Sequence, residues 1–382
     1  MVKRDLGIYI HIPFCVKKCD YCDFCSAPGT AEEQAYYFRN LQKEIRTFES
    51  LGNLYQIKTL FIGGGTPSSV ESSLIKETIE LLKSQYEFAP DAEMTIECNP
   101  GTITEEKLKT YMSLGFNRLS LGLQSAQEEE LAELGRIHSF DEFCNNFALA
   151  RRLGYENINV DLMFGIPKQK QDSWKDTLEK VLEIKPDHIS AYSLIVEEGT
   201  PFFEKYGDMV GARALPSERD ERAMYHYAVT RLAEAGFKRY EISNFATEGK
   251  ECKHNMLYWT MGEYLGFGLS ASSYLNGKRF TNPKNKEEYW DYSRRAYSEY
   301  RFLTPQSEKS TMEEFMFLGL RTDRGISRME FEEFFHVPFE SVYAHQVERL
   351  LSSGLLKEED GRIALTDRGI DVSNRVLAEF LL

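Results

Sequence analysis

The stretch Tyr9-Ile10-His11-Ile12-Pro13-Phe14-Cys15, followed by Cys19, Cys22 and Cys25, decides how the rest of the chain is read. A short apolar strand ends at Pro13, whose ring removes the N–H that a continuing ladder needs. Three thiols then follow at the spacing C-x3-C-x2-C. Thiolates this close together in a loop can wrap one iron–sulfur cluster, because thiolate sulfur is the usual ligand of such clusters. Three ligands on a four-iron cube leave one iron open to a substrate, much as a catalytic zinc keeps an open position. A zinc knuckle asks for two C-x2-C-like pairs set apart, and the second pair is missing. Nothing signals the oxidising context that disulfides need. Cys25 stays open between a fourth ligand and a spare thiol beside an open iron, with the spare thiol favoured.

With 382 residues the chain has room for one large domain and one or two smaller ones. No apolar run approaches the ~20 residues needed to span a bilayer. The charged start, Met1 to Asp5, passes directly into a strand without a signal peptide, so cytoplasm is the expected compartment. Seven cysteines, four of them clustered, suit a reducing environment better than a disulfide scaffold. Sixty acidic residues against 46 basic ones weigh against sequence-independent binding to a phosphate backbone, and no nucleic-acid partner is expected. Whether the chain is a monomer or a homodimer, or touches a membrane surface peripherally, is left open by the sequence.

From residue 7 to about 195 the pattern is strand, loop, amphipathic helix, repeated six times. Strands read at Gly7–Ile12, Ile57–Ile62, Met94–Glu97, Arg118–Gly122, Asn157–Leu162 and His188–Leu194. Alternating βα units imply a parallel sheet with helical crossovers. Six units in roughly 190 residues fall short of the ~250 typical of a closed eight-fold barrel. The expected α/β fold is therefore an open six-stranded (β/α)6 partial TIM barrel over residues 1–200. A small α+β extension, 201–304, is expected to close its open side. From Pro305 three amphipathic helices and a hairpin read as a winged-helix-like domain, 305–382. That domain holds more acids than bases, which suits packing or partner binding rather than DNA.

The polar signals fall where parallel barrels build their sites, at the carboxyl ends of the strands. The cysteine loop follows strand one, and Gly63-Gly64-Gly65-Thr66-Pro67 follows strand two. Glu97-Cys98-Asn99-Pro100 ends strand three, Gln124-Ser125 follows strand four, Asp161 ends strand five and Tyr192-Ser193 strand six. A glycine triplet before Thr-Pro is as often a plain tight turn as a place where backbone meets a ligand. Glu97 and Asp161 close apolar strands, and unpaired carboxylates are rarely buried, so ligand contact or helix capping is expected of them.

Taken together, the cysteine loop, Gly63–Ser68, Ile96–Pro100, Leu121–Ser125, Asp161–Pro167 and the C-terminal pattern resemble the radical S-adenosylmethionine (SAM) enzymes. Within them the chain is similar to the coproporphyrinogen-oxidase-like branch, and there to its HemW group of heme chaperones. The resemblance implies that Cys15, Cys19 and Cys22 hold a [4Fe–4S] cluster whose open iron takes the amino acid end of SAM. It places Tyr9, Gly64, Gly65, Thr66, Glu97, Gln124, Arg136 and Asp161 around the SAM sites, with Ser193 beside them and Tyr21 on the adenine. Its radical chemistry, one electron delivered to the sulfonium, is left open for this chain.

Two departures separate the chain from the relatives that oxidatively decarboxylate coproporphyrinogen III. Only 14 residues precede Cys15, and Cys22 and Cys25 stand at C-x2-C where those enzymes have C-x-C. His254-Asn255-Met256-Leu257-Tyr258-Trp259 also matches the HN-x-x-YW motif of the chaperone group. By that resemblance His254 is an axial imidazole on heme iron, flanked by Tyr258 and Trp259. For a lone histidine, a buried ring bonded within the protein is the commoner role. No C-x2-C-H occurs, so c-type heme attachment is not expected. The expected function is a heme chaperone that delivers heme to apo-hemoproteins, and the alternative is an oxygen-independent coproporphyrinogen III oxidase. Whether it is an enzyme at all stays open.

Overall fold

A computed structural model describes residues 2–382. Each crossover begins with a strand whose alternate residues are aliphatic. In β1 (Arg4–Ile12) Leu6, Ile8, Ile10 and Ile12 are buried on one face, against α1 (Ala31–Thr47) and its Tyr37, Leu41 and Ile45. A reciprocal Thr30–Glu33 capping box starts that helix and satisfies its free N–H groups. The same unit recurs with β2 (Tyr55–Gly64), α2 (Ser72–Gln85), β3 (Glu87–Cys98), α3 (Glu105–Ser113) and β4 (Arg118–Gln124). A short α4 (Glu128–Glu133) precedes α5 (Phe140–Leu153), β5 (Ile158–Phe164), α6 (Gln171–Glu183) and β6 (His188–Ser193).

The six strands lie side by side in chain order, all parallel. Every crossover therefore steps the same way, without the order reversal that marks a doubly wound sheet. The aliphatic face meets the helices, and the opposite face is polar. Glu97 stands across from Ser120, Gly122 from Asp161, and Met163 from Tyr192, so the polar residues run level from strand to strand.

The extension departs from expectation. After α7 (Pro201–Tyr206) and α8 (Glu218–Glu234), strands β7 (Lys238–Arg239) and β8 (Asn244–Ala246) pair antiparallel along the β6 edge. The chain then crosses beneath the sheet through α9 (Lys253–Trp259) to the far edge. There β9 (Tyr264–Phe267) lies parallel to β1, and β10 (Ser272–Leu275) and β11 (Lys278–Thr281) continue antiparallel. The extension lengthens both edges and closes neither, leaving β11 and β7 as the ends of an eleven-stranded open sheet. Four-residue strands are too short to show a period of two, which is why the seventh parallel strand escaped the sequence.

Two further helices, α10 (Lys286–Tyr292) and α11 (Ala296–Phe302), pack on α1 through Tyr289 and Tyr300. The C-terminal region has its own apolar core. It contains α12 (Glu308–Gly319), β12 (Ile326–Ser327), α13 (Arg328–Phe335), α14 (Phe339–Ser352) and the hairpin β13 (Leu356–Glu359)–β14 (Arg362–Leu365). Its three-stranded sheet and helices match the expected winged-helix-like pattern. No helix among the described residues is long and apolar enough to cross a membrane.

Candidate functional site

The loop after β1 folds back on its own base. Cys15 N donates to Ala27 O at 3.2 Å and Ala27 N to Pro13 O at 3.1 Å. His11 steadies its far end: Nε2 lies 2.9 Å from the Cys25 carbonyl, and Nδ1 lies 3.1 Å from the Tyr9 hydroxyl. These partners fix the tautomer, with the proton on Nε2 and Nδ1 accepting from Tyr9. Burial lowers the His11 pKa, which keeps that ring neutral. Cys15, Cys19 and Cys22 line one cavity of about 390 Å³ at the carboxyl ends of the strands. Burial raises the Cys15 and Cys22 thiols, and the charge of neighbouring Cys19 adds to it. Cys25 does not line that cavity; its Sγ faces the Lys284 carbonyl at 3.7 Å and packs against the main core. Among the described residues no three His, Cys, Asp or Glu side chains stand close enough to hold a metal ion. The three thiols reach the cavity from separate points of the loop.

The second wall is the glycine turn after β2. Gly64 has a φ of +118°, and its N–H donates to Glu97 Oε2 at 3.1 Å. A Cβ on Gly65 would lie 2.5 Å from the Phe14 carbonyl oxygen, so only glycine lets the turn press against the cysteine loop. Thr66 Oγ1 accepts from Asn99 Nδ2 at 2.7 Å. Arg136 reaches in from the far side, donating to Asn99 Oδ1 (2.9 Å), the Gly122 carbonyl (2.5 Å) and Cys19 Sγ (3.6 Å). Its Nε is buried without a partner.

Two half-buried carboxyls complete the floor. Burial, with the Asp161 charge beside it, pushes Glu97 up to about 8, so it is protonated at neutral pH. Asp161 accepts from Asn159 Nδ2 at 2.8 Å and Ser120 Oγ at 3.1 Å, and burial raises its pKa too. Gln124 ends β4 with a positive φ, and the Ser193 hydroxyl bonds Glu221. Tyr21 leans edge-on against Phe202, with ring centroids 6.2 Å apart.

Nine of the residues expected from the sequence thus meet the three cysteines on one cavity: Tyr21, Gly64, Gly65, Thr66, Glu97, Gln124, Arg136, Asp161 and Ser193. Tyr9 stands beneath the wall, bonded to His11 and stacked on Phe61. Asn99, quoted with the strand-three signal but not singled out as a site residue, ties Thr66 to Arg136. Its signal was available, two residues past Glu97 and so on the same strand face. Sequence reasoning also passed over His11, whose signal was its place in the quoted stretch.

His254 lies apart from this cavity, and its ring is bonded within the protein. It is 1% exposed, with Nδ1 2.8 Å from Thr59 Oγ1 and Nε2 2.6 Å from the Tyr258 hydroxyl. Its backbone N–H and that of Lys253 donate to the Glu93 carboxylate, at 3.1 and 3.0 Å. Phe61 stacks on the ring at 5.4 Å between centroids. Burial, with the charge of Arg118, lowers the imidazole to about 3. One ring nitrogen donates and the other accepts, so the lone pair iron would take is engaged within the protein until that bond is released. The motif folds as α9, whose N-terminal N–H groups are capped by Glu93 from β3.

A parallel sheet wound in one direction, three loop thiols over its carboxyl rim, a glycine turn and two half-buried carboxyls define a radical SAM protein. The cavity fits the two groups such proteins carry: thiols for iron, a backbone cradle that a Cβ would fill, and an unmatched guanidinium N–H. Residues 9–181 match the model of the Radical SAM superfamily, and residues 306–372 that of the HemN C-terminal domain. The chain is 36% identical to Heme chaperone HemW of Lactococcus lactis subsp. lactis, over 100% of this chain and 99% of that protein. It is 35% identical to Heme chaperone HemW of Bacillus subtilis, over 98% of each. To the mitochondrial radical S-adenosyl methionine domain-containing protein 1 of Bos taurus it is 34% identical, covering 86% of this chain and 76% of that one. The chain belongs to the HemW family. Coproporphyrinogen III oxidase (HemN) of Escherichia coli shares the fold, with a TM-score of 0.84 over 99% of this chain and 90% of that one at 22% identity. Membership of the superfamily implies a [4Fe–4S] cluster and SAM.

Proposed function

We propose that this protein is a heme chaperone: it carries a [4Fe–4S] cluster and SAM in the rim cavity, binds heme, and passes it to apo-hemoproteins, in the cytoplasm. The observation that carries this reading is the likeness, along nearly the full chain, to proteins named as heme chaperones. Cys15, Cys19 and Cys22 are the cluster ligands, and Arg136 donates to Cys19 Sγ at 3.6 Å. Bound together, cluster and SAM supply one-electron chemistry at a sulfonium. The chain's own part is positioning. Gly64, Gly65 and Thr66 bring backbone close to the ligand, and Glu97 gives up its proton to receive a cationic one. Asp161 is held still by Asn159 and Ser120, while Tyr21, Met163 and Leu194 keep water from the floor. For His254 to reach iron, Tyr258 must first release Nε2.

Hemin titrated into the purified chain is expected to give a Soret band with saturable affinity, and that heme should move to an added apo-hemoprotein. A titration with no saturable band removes the reading. The fold shared with HemN favours one alternative, oxidative decarboxylation of coproporphyrinogen III. An anaerobic assay with reductant and SAM decides it: protoporphyrinogen formed at many turnovers would make the protein an enzyme of that kind.

A further inference from the structure

The rim cavity and the motif helix α9 lie apart, yet one line of hydrogen bonds joins them. At the rim end stands Asp161, which lines the cavity and accepts from Asn159 Nδ2 at 2.8 Å. Asn159 Oδ1 lies 2.6 Å from His188 Nδ1, and His188 Nε2 lies 2.8 Å from the Tyr240 hydroxyl. That hydroxyl accepts from the backbone N–H of Cys252 at 3.3 Å. Cys252 is the N-cap residue of α9, the helix that carries His254. A carboxyl of the candidate SAM site is thus tied, side chain by side chain, to the start of the helix bearing the heme motif.

The donors all point one way. A backbone N–H can only donate, so Tyr240 receives from Cys252 and spends its single proton on His188 Nε2. Nδ1 therefore carries the ring proton and gives it to the Asn159 carbonyl oxygen. Burial, together with the Arg118 charge, keeps that ring neutral. The Asn159 amide donates in turn to Asp161 and to Ser120 Oγ, at 2.8 and 2.7 Å. His188 is 0% exposed and Asn159 1%, so solvent does not interrupt the line at its middle. Tyr240 is held at its backbone, donating to Asn244 O at 3.2 Å and accepting from Asp323 N at 3.1 Å. Bonds aligned head to tail polarise one another, and a carboxylate as final acceptor strengthens them most.

Resting on the heme-chaperone reading for what α9 holds, we infer that His188 and Tyr240 are positioning residues that couple the two sites: a cationic ligand engaging Asp161 loosens the start of α9. The physical reason lies in the final acceptor. A cation beside Asp161 draws on the carboxylate charge that polarises Asn159, and each bond back to the Cys252 N–H weakens in turn. The start of α9 is where such loosening matters, because His254 Nε2 is freed only when Tyr258, one turn further along the same helix, moves off. Coupling of this kind is one free energy shared by both sites, so a ligand on His254 changes affinity at the rim by the same factor.

The test is amide hydrogen exchange of the full, cluster-reconstituted chain with and without saturating SAM, read on peptides covering Cys252–Trp259. In the wild type SAM is expected to speed exchange there by roughly five-fold or more. Tyr240→Phe keeps the ring and removes one hydroxyl; its α9 should exchange fast already, and SAM should still bind but change nothing there. Ser190→Ala removes a 3.1 Å bond to the same Asn159 oxygen, off the line, and is expected to respond as the wild type does. Exchange that SAM leaves unchanged or slows in the wild type overturns the coupling, as does a full response in Tyr240→Phe. Loss of the response in Ser190→Ala too would assign it to general loosening and strike out the line. Hemin titration with and without SAM reads the same link from the other end, and the affinity ratio should vanish in Tyr240→Phe; a ratio that survives there overturns the link. A chain that binds no hemin at all removes the chaperone reading, while the exchange result decides the coupling without it.

Discussion

Two glutamates on one strand separate the two regions inside this sheet. Glu93 and Glu97 stand four residues apart on the same polar face of β3, the first buried and the second half-buried. Glu93 accepts from the Lys253 and His254 N–H groups at 3.0 and 3.1 Å and from Cys252 Sγ at 3.5 Å. Glu97 accepts from one donor, the Gly64 N–H. The layer around Glu93 is committed to the protein: His188 likewise uses both ring nitrogens, on Asn159 and Tyr240. Arg118 Nε and Thr95 Oγ1 are exceptions there and find no partner. In the layer around Glu97 capacity is left over, in a half-satisfied carboxyl, three thiols and the Arg136 Nε. Buried polar groups are nearly always bonded, so unused capacity marks a place built for a ligand, and full occupation marks a structural joint.

The largest effect expected on the ligand side is all or none. Cys15→Ser, Cys19→Ser or Cys22→Ser should abolish the brown chromophore and most of the bound iron after anaerobic reconstitution, whereas Cys25→Ser should retain both. A colourless Cys25→Ser protein would place the fourth thiol among the ligands and blur the boundary between cavity and core. On the structural side, Glu93→Ala orphans the N-terminal N–H groups of α9 and should cost roughly 2–4 kcal/mol in urea unfolding. A stability within a few tenths of wild type would mean that α9 is not held from β3.

Gly65→Ala forces a methyl onto the Phe14 carbonyl and should cost roughly 1–3 kcal/mol, with lower cluster occupancy at equal protein concentration. Unchanged iron content and melting temperature would show the turn to be slack. The smallest effect is a pH dependence. The free Glu97 carboxyl is protonated below about 8, and a cationic ligand favours the carboxylate, so binding releases a proton. SAM affinity should therefore climb as pH rises, by up to about ten-fold per unit, and level off near 8. Glu97→Gln should flatten that slope; an identical slope in the variant assigns the proton to another group.

Much of this contrast was legible beforehand on one side only. The cavity residues follow strand ends, and a parallel sheet wound in one direction brings every strand end to the same rim, so Gly64, Glu97, Gln124 and Asp161 could be grouped without coordinates. The cysteine spacing worked in the same way, being local. Other residues needed the fold. His254 reads as an available imidazole until Thr59 and Tyr258, 195 residues before it and four after, are seen on its two nitrogens. The strands β9 to β11 are too short to carry a period, and the pairing of β9 with β1 is set by contacts across the chain.

What the sequence alone determined is the set of local relations: strand ends, loop spacing, the glycine turn and the shared rim they imply, because each depends on residues within a few positions of one another. Only the tertiary structure decided which polar groups remain free. That question depends on partners brought in from distant segments, and a side chain's chemistry becomes function only where no such partner has already taken it.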